Sequence, residues 1–519
     1  MYKTTFKEVN DLKVSQPGSG NKRSVSEINE KIKNGDVQVL TVSEMKDLVE
    51  SSGVQVAFNE VDVVTTGTFG AMCSSGAVIN LGHADPPIKI QNAWINDVPA
   101  LHPGAAVDLF IGATQVSETK AFEYGGGHLI HDLIAGKEVD LRATALGTDC
   151  YPRTRLEVTL TKDDLNQFEL INFRNCYQRY SCATNGCDEV IYTYMGKLLP
   201  KYRNASYSGS GELNPLMNDP DFETIGFGTR IFLNGGVGYI IGEGTQHNPT
   251  TGYATIMVKG NAKQMDPEFI RGASFTNYGT SMYNAIGIPI PILNEGIVRK
   301  VAIRDKDIIT DVVDYGVPRR DRPTLRNVNY EELKKGKIVI NDQSVKVSPL
   351  SSLKKGRKVM ETLKTWIESG QFLLTEPIEH LSNKVIFKTM KQPKGTSLVE
   401  SIAQTAVTCS EGASIEEIAR RLINHNVNHI VVVDEEKKLA GIVTSWDITR
   451  SLANGRVTLK DIIVRNVHTA SPNDPAEVAS RKLARYNISA LPVIDKENHV
   501  LGIVTSEDIS KLLGGGGNG

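Results

Sequence analysis

The alternation of apolar and polar positions divides the chain into unlike regions. Near the start, Ser24 and Glu27 form a capping-box pattern, Val25, Ile28 and Ile32 share one helical face, and Gly35 stops the run. Thereafter helical periodicity is scarce and β-branched runs punctuated by glycine take over. They are Val61 to Thr66, Val107 to Val116, Leu156 to Thr161, Arg230 to Leu233 and Tyr253 to Val258. A helix returns at Arg357 to Gly370, where Val359, Leu363, Trp366 and Ile367 supply the apolar pattern. These elements predict an α+β domain with much sheet and many functional loops.

Further on, the chain repeats itself. Gly441-Ile442-Val443-Thr444-Ser445-Trp446-Asp447-Ile448 recurs as Gly502-Ile503-Val504-Thr505-Ser506-Glu507-Asp508-Ile509, at the constant offset of 61 positions that separates Asp447 from Asp508. The same offset aligns Asn426 with Asn487 and Asp434 with Asp495. In the first copy, Ser414 and Glu417 cap a helix carrying Ile415, Ile418, Ala419 and Leu422. A run from Ile430 to Val433, a polar turn from Asp434 to Lys438, and a strand from Leu439 to Val443 follow. The last strand feeds a helix that stops near Asn454-Gly455. In the second copy, Asp474 is the expected N-cap, with Pro475 at the first helical position. Two matching halves of this kind pack face to face around a shared core.

Lys391-Gln392-Pro393-Lys394-Gly395 combines charge, proline and glycine as a surface linker does. The expected division is therefore 1–390 for the sheet-rich domain, 391–454 for the first repeat and 455–514 for the second. The run Gly514 to Gly517 reads as a flexible tail.

Composition narrows the class. With 519 residues, 40% hydrophobic and 23% charged, this is ordinary globular material in more than one domain. A net charge of −2 and 6% aromatic residues argue against nucleic acid or an anionic membrane as main partner. No apolar run approaches the ~20 residues of a membrane helix. No apolar signal region follows Met1, and six scattered cysteines make no disulfide scaffold. The chain reads as cytoplasmic, with reduced thiols.

The paired Gly-Ile-Val-Thr-Ser-x-Asp-Ile segments resemble a tandem of CBS motifs, the nucleotide-sensing Bateman module, over about the last quarter of the chain. A Thr at a strand end, with Asp three residues later at a helix start, offers a hydroxyl and a carboxylate to a ribose. Asp447 and Asp508 are the candidate ribose binders, with Thr444 and Thr505 beside them. His429-Ile430 and Ala490-Leu491-Pro492 would line the apolar slots for an adenine. Trp446 offers a face to an adenine or a sulfonium. The competing reading makes both Asp residues plain helix N-caps and Trp446 a dimer contact.

Three glycine clusters carry the candidate chemistry of the larger domain: Thr65 to Gly76, Tyr124 to His128, and Gly235 to Tyr239. Glycines allow close backbone approach to a ligand, and free amides hold anions. Turn chemistry alone explains them equally well, and none has P-loop or dinucleotide-binding spacing. Among the cysteines, Cys150 lies in a polar turn close to Arg153, where a thiolate is favoured, and Cys73 sits in the hydroxyl-rich glycine loop. Cys176, Cys182 and Cys187 lack zinc-ribbon spacing, no metal site is expected, and Cys409 reads as a small core residue.

The segments Thr65 to Gly76, Gly125-Gly126-Gly127-His128, Gly147-Thr148-Asp149-Cys150-Tyr151-Pro152 and Asn234-Gly235-Gly236-Val237-Gly238-Tyr239 resemble the homocysteine-biosynthesis sulfur-incorporation family. The resemblance extends over nearly the whole chain, and the order of sulfurtransferase domain then CBS pair agrees. His131, Cys176 and Cys187 are departures that the family is not expected to require. The resemblance implies sulfur transfer to L-aspartate semialdehyde, with the persulfide-bearing cysteine at Cys150 and a second thiol at Cys73. It also implies a small ferredoxin-like iron–sulfur protein as electron source.

Turning an aldehyde carbon into a thiol-bearing CH₂ requires a sulfur donor and two electrons. No flavin or nicotinamide fingerprint is evident, and no tightly bound cofactor is expected. Arg153 or Arg179 is the candidate for the substrate carboxylate. S-adenosylmethionine or methylthioadenosine is the expected ligand of the CBS pair, through which the chain is expected to form a homodimer. The competing function is a non-catalytic adenosyl-ligand sensor that binds a partner. A relative of inosine-monophosphate dehydrogenase would need (β/α)₈ alternation around an inserted CBS pair, and here the pair is terminal and the alternation missing.

Overall fold

The computed structural model describes residues 23–102, 105–316, 322–385, 388, 397–453, 455 and 458–514. Described residues up to 388 form one compact unit and those from 397 onward a second. The expected linker at 391–395 and the residues from 515 on lie outside the described residues.

The first helix, Val25–Asn34, begins as its sequence dictates. Ser24 accepts the Glu27 amide at 3.2 Å, and the Glu27 carboxylate accepts the Ser24 amide at 2.7 Å. Gly35, at φ 79°, closes it. Val25, Ile28 and Ile32 are buried, in one cluster with Val359, Leu363 and Ile367 of the helix Leu353–Glu368.

The centre of this unit is a nine-stranded antiparallel sheet. Its order is Ile270–Phe275, Gly279–Gly287, Arg230–Leu233, Gly236–Glu243, Ile256–Asn261, Gln167–Asn175, Ser75–Asn80 and Asp108–Gly112, with Thr68–Ala71 also paired to Gly279–Gly287. Alternate residues of Gly279–Gly287 serve two cores, as strand pleating requires. Met282 and Ile286 pack with Leu129 and Leu133 of the helix Gly126–Ile134. Tyr283 and Ala285 instead join Val359 and Leu363. A six-stranded sheet joins Thr324–Asn329, Ile309–Asp314, Cys182–Thr184, Asn204–Tyr207, Gln343–Pro349 and Lys337–Ile340. A four-stranded sheet orders Arg155–Leu160, Val139–Thr144, Asn92–Ile95 and Val98–Ala100.

Two expected strands are cut differently. The run from Val107 divides into Asp108–Gly112 and Val116–Ser117, because Gln115 turns back to donate its amide to the Gly112 carbonyl. The run from Tyr253 starts its strand at Ile256, because Tyr253 and Asn248 bond each other's backbone in a tight turn.

In the second unit the repeat is structural to the residue. Ile415–His425, His429–Val433, Leu439–Thr444 and Ser445–Ala453 recur 61 positions later as Ala476–Tyr486, Ala490–Ile494, Val500–Thr505 and Ser506–Gly514. Both first helices end on a left-handed Asn, Asn426 and Asn487, each at φ 51°. Two details differ from expectation. Pro475 occupies the N-cap position and Asp474 instead accepts the Ser471 amide, because the chain enters the helix through a turn. Gly514 is the last residue of a helix, not the start of the tail.

The short segment before each copy packs on the other copy. Val399, from the helix Val399–Ile402 ahead of the first copy, is buried with Leu483, Leu491 and Val504 of the second. Leu459, ahead of the second copy, is buried with Ile418, Ile430 and Val443 of the first. Val431, Ala490 and Ile503 join the halves in one apolar cluster. No helix among the described residues is long and apolar enough to cross a membrane.

Candidate active site and nucleotide clefts

The glycine clusters are largely packing and turn devices. A Cβ on Gly126 would lie 1.9 Å from the Gly112 carbonyl oxygen, and one on Gly127 would lie 2.1 Å from that of Ser281. The helix Gly126–Ile134 therefore starts pressed against backbone, and its first amides donate to the Gln115 and Ala113 carbonyls. A Cβ on Gly67 would meet the Gly356 carbonyl at 2.5 Å, which lets the helix Leu353–Glu368 approach. Asn234-Gly235, at φ 50° and 83°, is the two-residue turn of the hairpin Arg230–Leu233/Gly236–Glu243.

Cys73 lies in the turn between Thr68–Ala71, which pairs with Gly279–Gly287, and Ser75–Asn80, which pairs with Gln167–Asn175 and Asp108–Gly112. A buried polar chain holds that turn from below. Asn234 donates to Asn284 (2.9 Å), Asn284 and Asn172 both donate to the Ser75 hydroxyl (2.8 and 3.0 Å), and Ser75 donates to the Met72 carbonyl (2.7 Å). Ser74 donates to Asn172 and to the Arg174 carbonyl, at 3.0 and 2.9 Å. Such a network, once satisfied, rigidifies what it supports.

Cys73 is half-buried, and the Ser281 hydroxyl donates to its sulfur at 3.3 Å. Tyr177 and Tyr283 both lie within electrostatic reach of that sulfur. Burial pushes the Tyr177 phenol up to about 12, and the charge of Arg174 opposes that rise. Tyr177 also packs edge-on against Tyr180, whose hydroxyl chain runs through Tyr194 to Tyr315 and Arg322.

Cys150 is exposed, in the turn between Val139–Thr144 and Arg155–Leu160. The turn is clamped by amide–carbonyl bonds in both directions between Thr148 and Tyr151, at 2.9 and 3.1 Å. The Arg153 guanidinium donates to the carbonyls of Pro86 and Asp85, at 2.9 and 2.6 Å. Arg179 donates to the carbonyls of Thr251 and Ile309. Both arginines, expected to hold substrate, donate to backbone carbonyls.

The remaining thiols divide by burial. Burial pushes Cys176 up strongly, Cys182 up to about 12 and Cys409 up to about 11, which keeps them as inert thiols. Cys187 donates to the Glu189 carbonyl. Among the described residues, Asp495, Glu497 and His499 form the one group with metal-ligand proximity. The Asp495 carboxylate accepts the Glu497 and His499 amides just as Asp434 accepts those of Glu436 and Lys438, so the group is turn chemistry.

In the CBS pair each Asp binds back to its Thr. Asp447 accepts the Thr444 amide and hydroxyl at 2.8 and 2.6 Å, and Asp508 accepts those of Thr505 at 2.8 and 2.7 Å. Thr444 and Thr505 are thus the N-caps, with each Asp as the reciprocal partner. The two copies then diverge. Gln404 donates to the second oxygen of Asp508 at 3.3 Å, and Asp508 is buried. The residue 61 positions after Gln404 is Arg465, which pairs instead with Glu411, leaving Asp447 half-buried. His429 bonds the Ser489 hydroxyl at 2.8 Å, and burial lowers its pKa below the usual histidine range against the charge of Asp447. Ile430, Ala490, Leu491 and Pro492 are buried in paired strands, while Trp446 is 69% exposed.

Ser281, Tyr177, Tyr283, Arg174 and Gln404 escaped the reading of the sequence. Ser281 is 208 positions from Cys73, and no local pattern links them.

Residues 37–374 match the family model described as homocysteine biosynthesis enzyme, sulfur-incorporation, and residues 399–454 and 459–515 match the CBS domain. A protein of Methanosarcina acetivorans named L-aspartate semialdehyde sulfurtransferase is 50% identical, over 95% of this chain and 99% of its own length. A protein of that name from Methanocaldococcus jannaschii is 51% identical with the same coverage. The solved CBS domain pair of protein MJ0100, in complex with 5′-methylthioadenosine and S-adenosyl-L-methionine, is 47% identical over 23% of this chain and 98% of its own, with a TM-score of 0.23.

Proposed function

The chain belongs to the homocysteine-biosynthesis sulfur-incorporation enzymes, is a sulfurtransferase, and on that footing we propose that it converts L-aspartate semialdehyde to L-homocysteine through a persulfide on Cys150. The observation that carries this reading is the exposed Cys150 sulfur on a clamped turn, open to an outside sulfur donor, in a unit that keeps Cys73 in a polar, half-buried setting.

The outer persulfide sulfur adds to the aldehyde carbon, giving Cys150–S–S–CH(OH)R. The Cys73 thiolate attacks the Cys150 sulfur, leaving a Cys150–Cys73 disulfide and releasing HS–CH(OH)R. Loss of water and addition of two electrons and two protons yield HS–CH₂R. Hydrosulfide then opens the disulfide, restoring the persulfide on Cys150 and the thiol on Cys73. The balance is R–CHO + H₂S + 2e⁻ + 2H⁺ → R–CH₂SH + H₂O. The electrons come from an external donor, for which a ferredoxin-like iron–sulfur protein is the proposed partner.

The CBS pair, on this reading, senses an adenosyl-sulfur ligand, S-adenosylmethionine or methylthioadenosine, as a signal from the downstream use of homocysteine. Asp447 takes the ribose, and exposed Trp446 supplies a face for a sulfonium. Dimerisation through the CBS pair belongs to the same proposal.

The test is incubation of the full chain with L-aspartate semialdehyde, sulfide and a low-potential reductant, with homocysteine measured. Cys150→Ser is expected to abolish product while the protein stays folded, and Cys73→Ser to stop sulfide-supported turnover, because the disulfide that hydrosulfide opens no longer forms. Mass spectrometry after sulfide is added to the oxidised chain, in which Cys150 and Cys73 form a disulfide, is expected to find the extra sulfur on Cys150. Its absence there would sink the assignment, and indifference of homocysteine yield to Cys150→Ser would favour the sensor reading.

A further inference from the structure

Arg153 and Arg179 both donate to backbone carbonyls, and the charges around Cys73 offer a second place for an anionic substrate. Arg174 is half-buried, and among the described residues no carboxylate or hydrogen-bond acceptor pairs with its guanidinium. Its backbone is fixed at both ends of the residue. Its amide donates to Asn172 Oδ1 at 3.1 Å, and its carbonyl accepts Ser74, the neighbour of Cys73, at 2.9 Å.

The strand shifts register between Asn172 and Asn175, so Phe173 and Arg174 lie in a bulge opposite Met257. A bulge re-aims the side chains it carries, and the next turn brings Cys176 to φ 52°. The charged groups acting on Tyr177 and Tyr283 include Cys73, Arg174 and Arg271, and no carboxylate. A half-buried guanidinium without an acid partner, within electrostatic reach of the Tyr177 phenol and on the residue bonded to the neighbour of Cys73, suits a planar carboxylate bound through two N–H groups.

We infer that Arg174 holds the α-carboxylate of an amino-acid substrate near Cys73, with Ser281, Tyr177 and Tyr283 as the polar groups around that sulfur. The inference rests on the proposed conversion for the identity of the substrate, but not for the existence of the site. Tyr177 and Ser281 are left to meet the oxygen or sulfur at the other end of a four-carbon chain.

The experiment reads protection of Cys73 from a maleimide, measured by peptide mass spectrometry on the full chain. L-homoserine, the unreactive alcohol of the same carbon skeleton, is the probe, and 3-aminopropan-1-ol is its counterpart lacking the carboxylate. Homoserine is expected to protect Cys73 in the wild type and aminopropanol not to. Arg174→Gln is expected to raise the half-protecting homoserine concentration at least about thirtyfold, the loss of a charge-assisted pair, each variant being referred to its own labelling rate without ligand. Arg174→Lys is expected to restore part of the protection, which separates a binding role from a misfolded loop.

Homoserine protection that survives Arg174→Gln at the same concentration overturns the inference, as does its absence from a wild type that makes homocysteine. Arg174-dependent protection in a wild type that makes no homocysteine supports the site and removes the proposed conversion.

Discussion

The Ser281 hydroxyl donates to the Cys73 sulfur across 3.3 Å, joining residues from a strand and a turn that are 208 positions apart. The donated bond fixes the sulfur toward Ser281 and leaves a hydroxyl at the reacting atom. Ser281→Ala is expected to change the alkylation rate of Cys73 about three- to tenfold, with Cys150 labelling unaffected. Peptide-resolved labelling rates check it.

The unequal clefts of the CBS pair make a sharper prediction. Asp508 already accepts from Gln404, whereas Asp447 bonds only its own Thr444 among the contacts described. Asp447→Ala is expected to weaken S-adenosylmethionine or methylthioadenosine about ten- to a hundredfold, and Asp508→Ala less than about threefold. Calorimetry on the full chain decides it. Tight binding of ATP or AMP with none of the sulfur nucleosides would change the ligand, and equal losses would erase the distinction between clefts.

Gly126 offers a test of packing. A methyl group there would enter the Gly112 carbonyl at 1.9 Å, backbone against backbone, with no flexible side chain to yield. Gly126→Ala is expected to cost about 2–3 kcal/mol in unfolding free energy, the scale of overpacking in a close-packed interior. Chemical denaturation of the full chain, followed in the first unit, measures it.

Lys46 makes stability depend on pH. It is 1% exposed, donates to the Glu212 carbonyl and Asn218, and burial lowers its pKa to about 7. The unfolded chain keeps that lysine protonated up to its ordinary range near 10.5, so between about pH 7 and 10 the unfolded state binds more protons. Stability should therefore rise with pH across that window, by up to ~1.4 kcal/mol per pH unit from this group. Below the folded value the slope disappears. Lys46→Met should remove the slope whatever its effect on absolute stability, and unfolding curves from pH 6 to 9 compare the two.

What the sequence determined by itself was local or periodic. Ser24, Glu27 and Gly35 bounded a helix because caps act within a few residues. The 61-residue repeat placed the helix, two strands and helix of each CBS copy because the two copies repeat the same local pattern, while the short helices Val399–Ile402 and Leu459–Ile462 and the strand Thr408–Ser410 went unread. Cys150 was legible as a turn thiol, since Gly147 to Pro152 is turn chemistry read from adjacent positions. Tertiary structure alone decided which neighbours each group acquired. It fastened Arg153 and Arg179 to distant carbonyls, set Gln404 on Asp508 but not on Asp447, and brought Ser281 and Tyr177 to Cys73. Those contacts join residues tens to hundreds of positions apart, through strand pairing and a bulge, and no periodicity records which distant strands will meet.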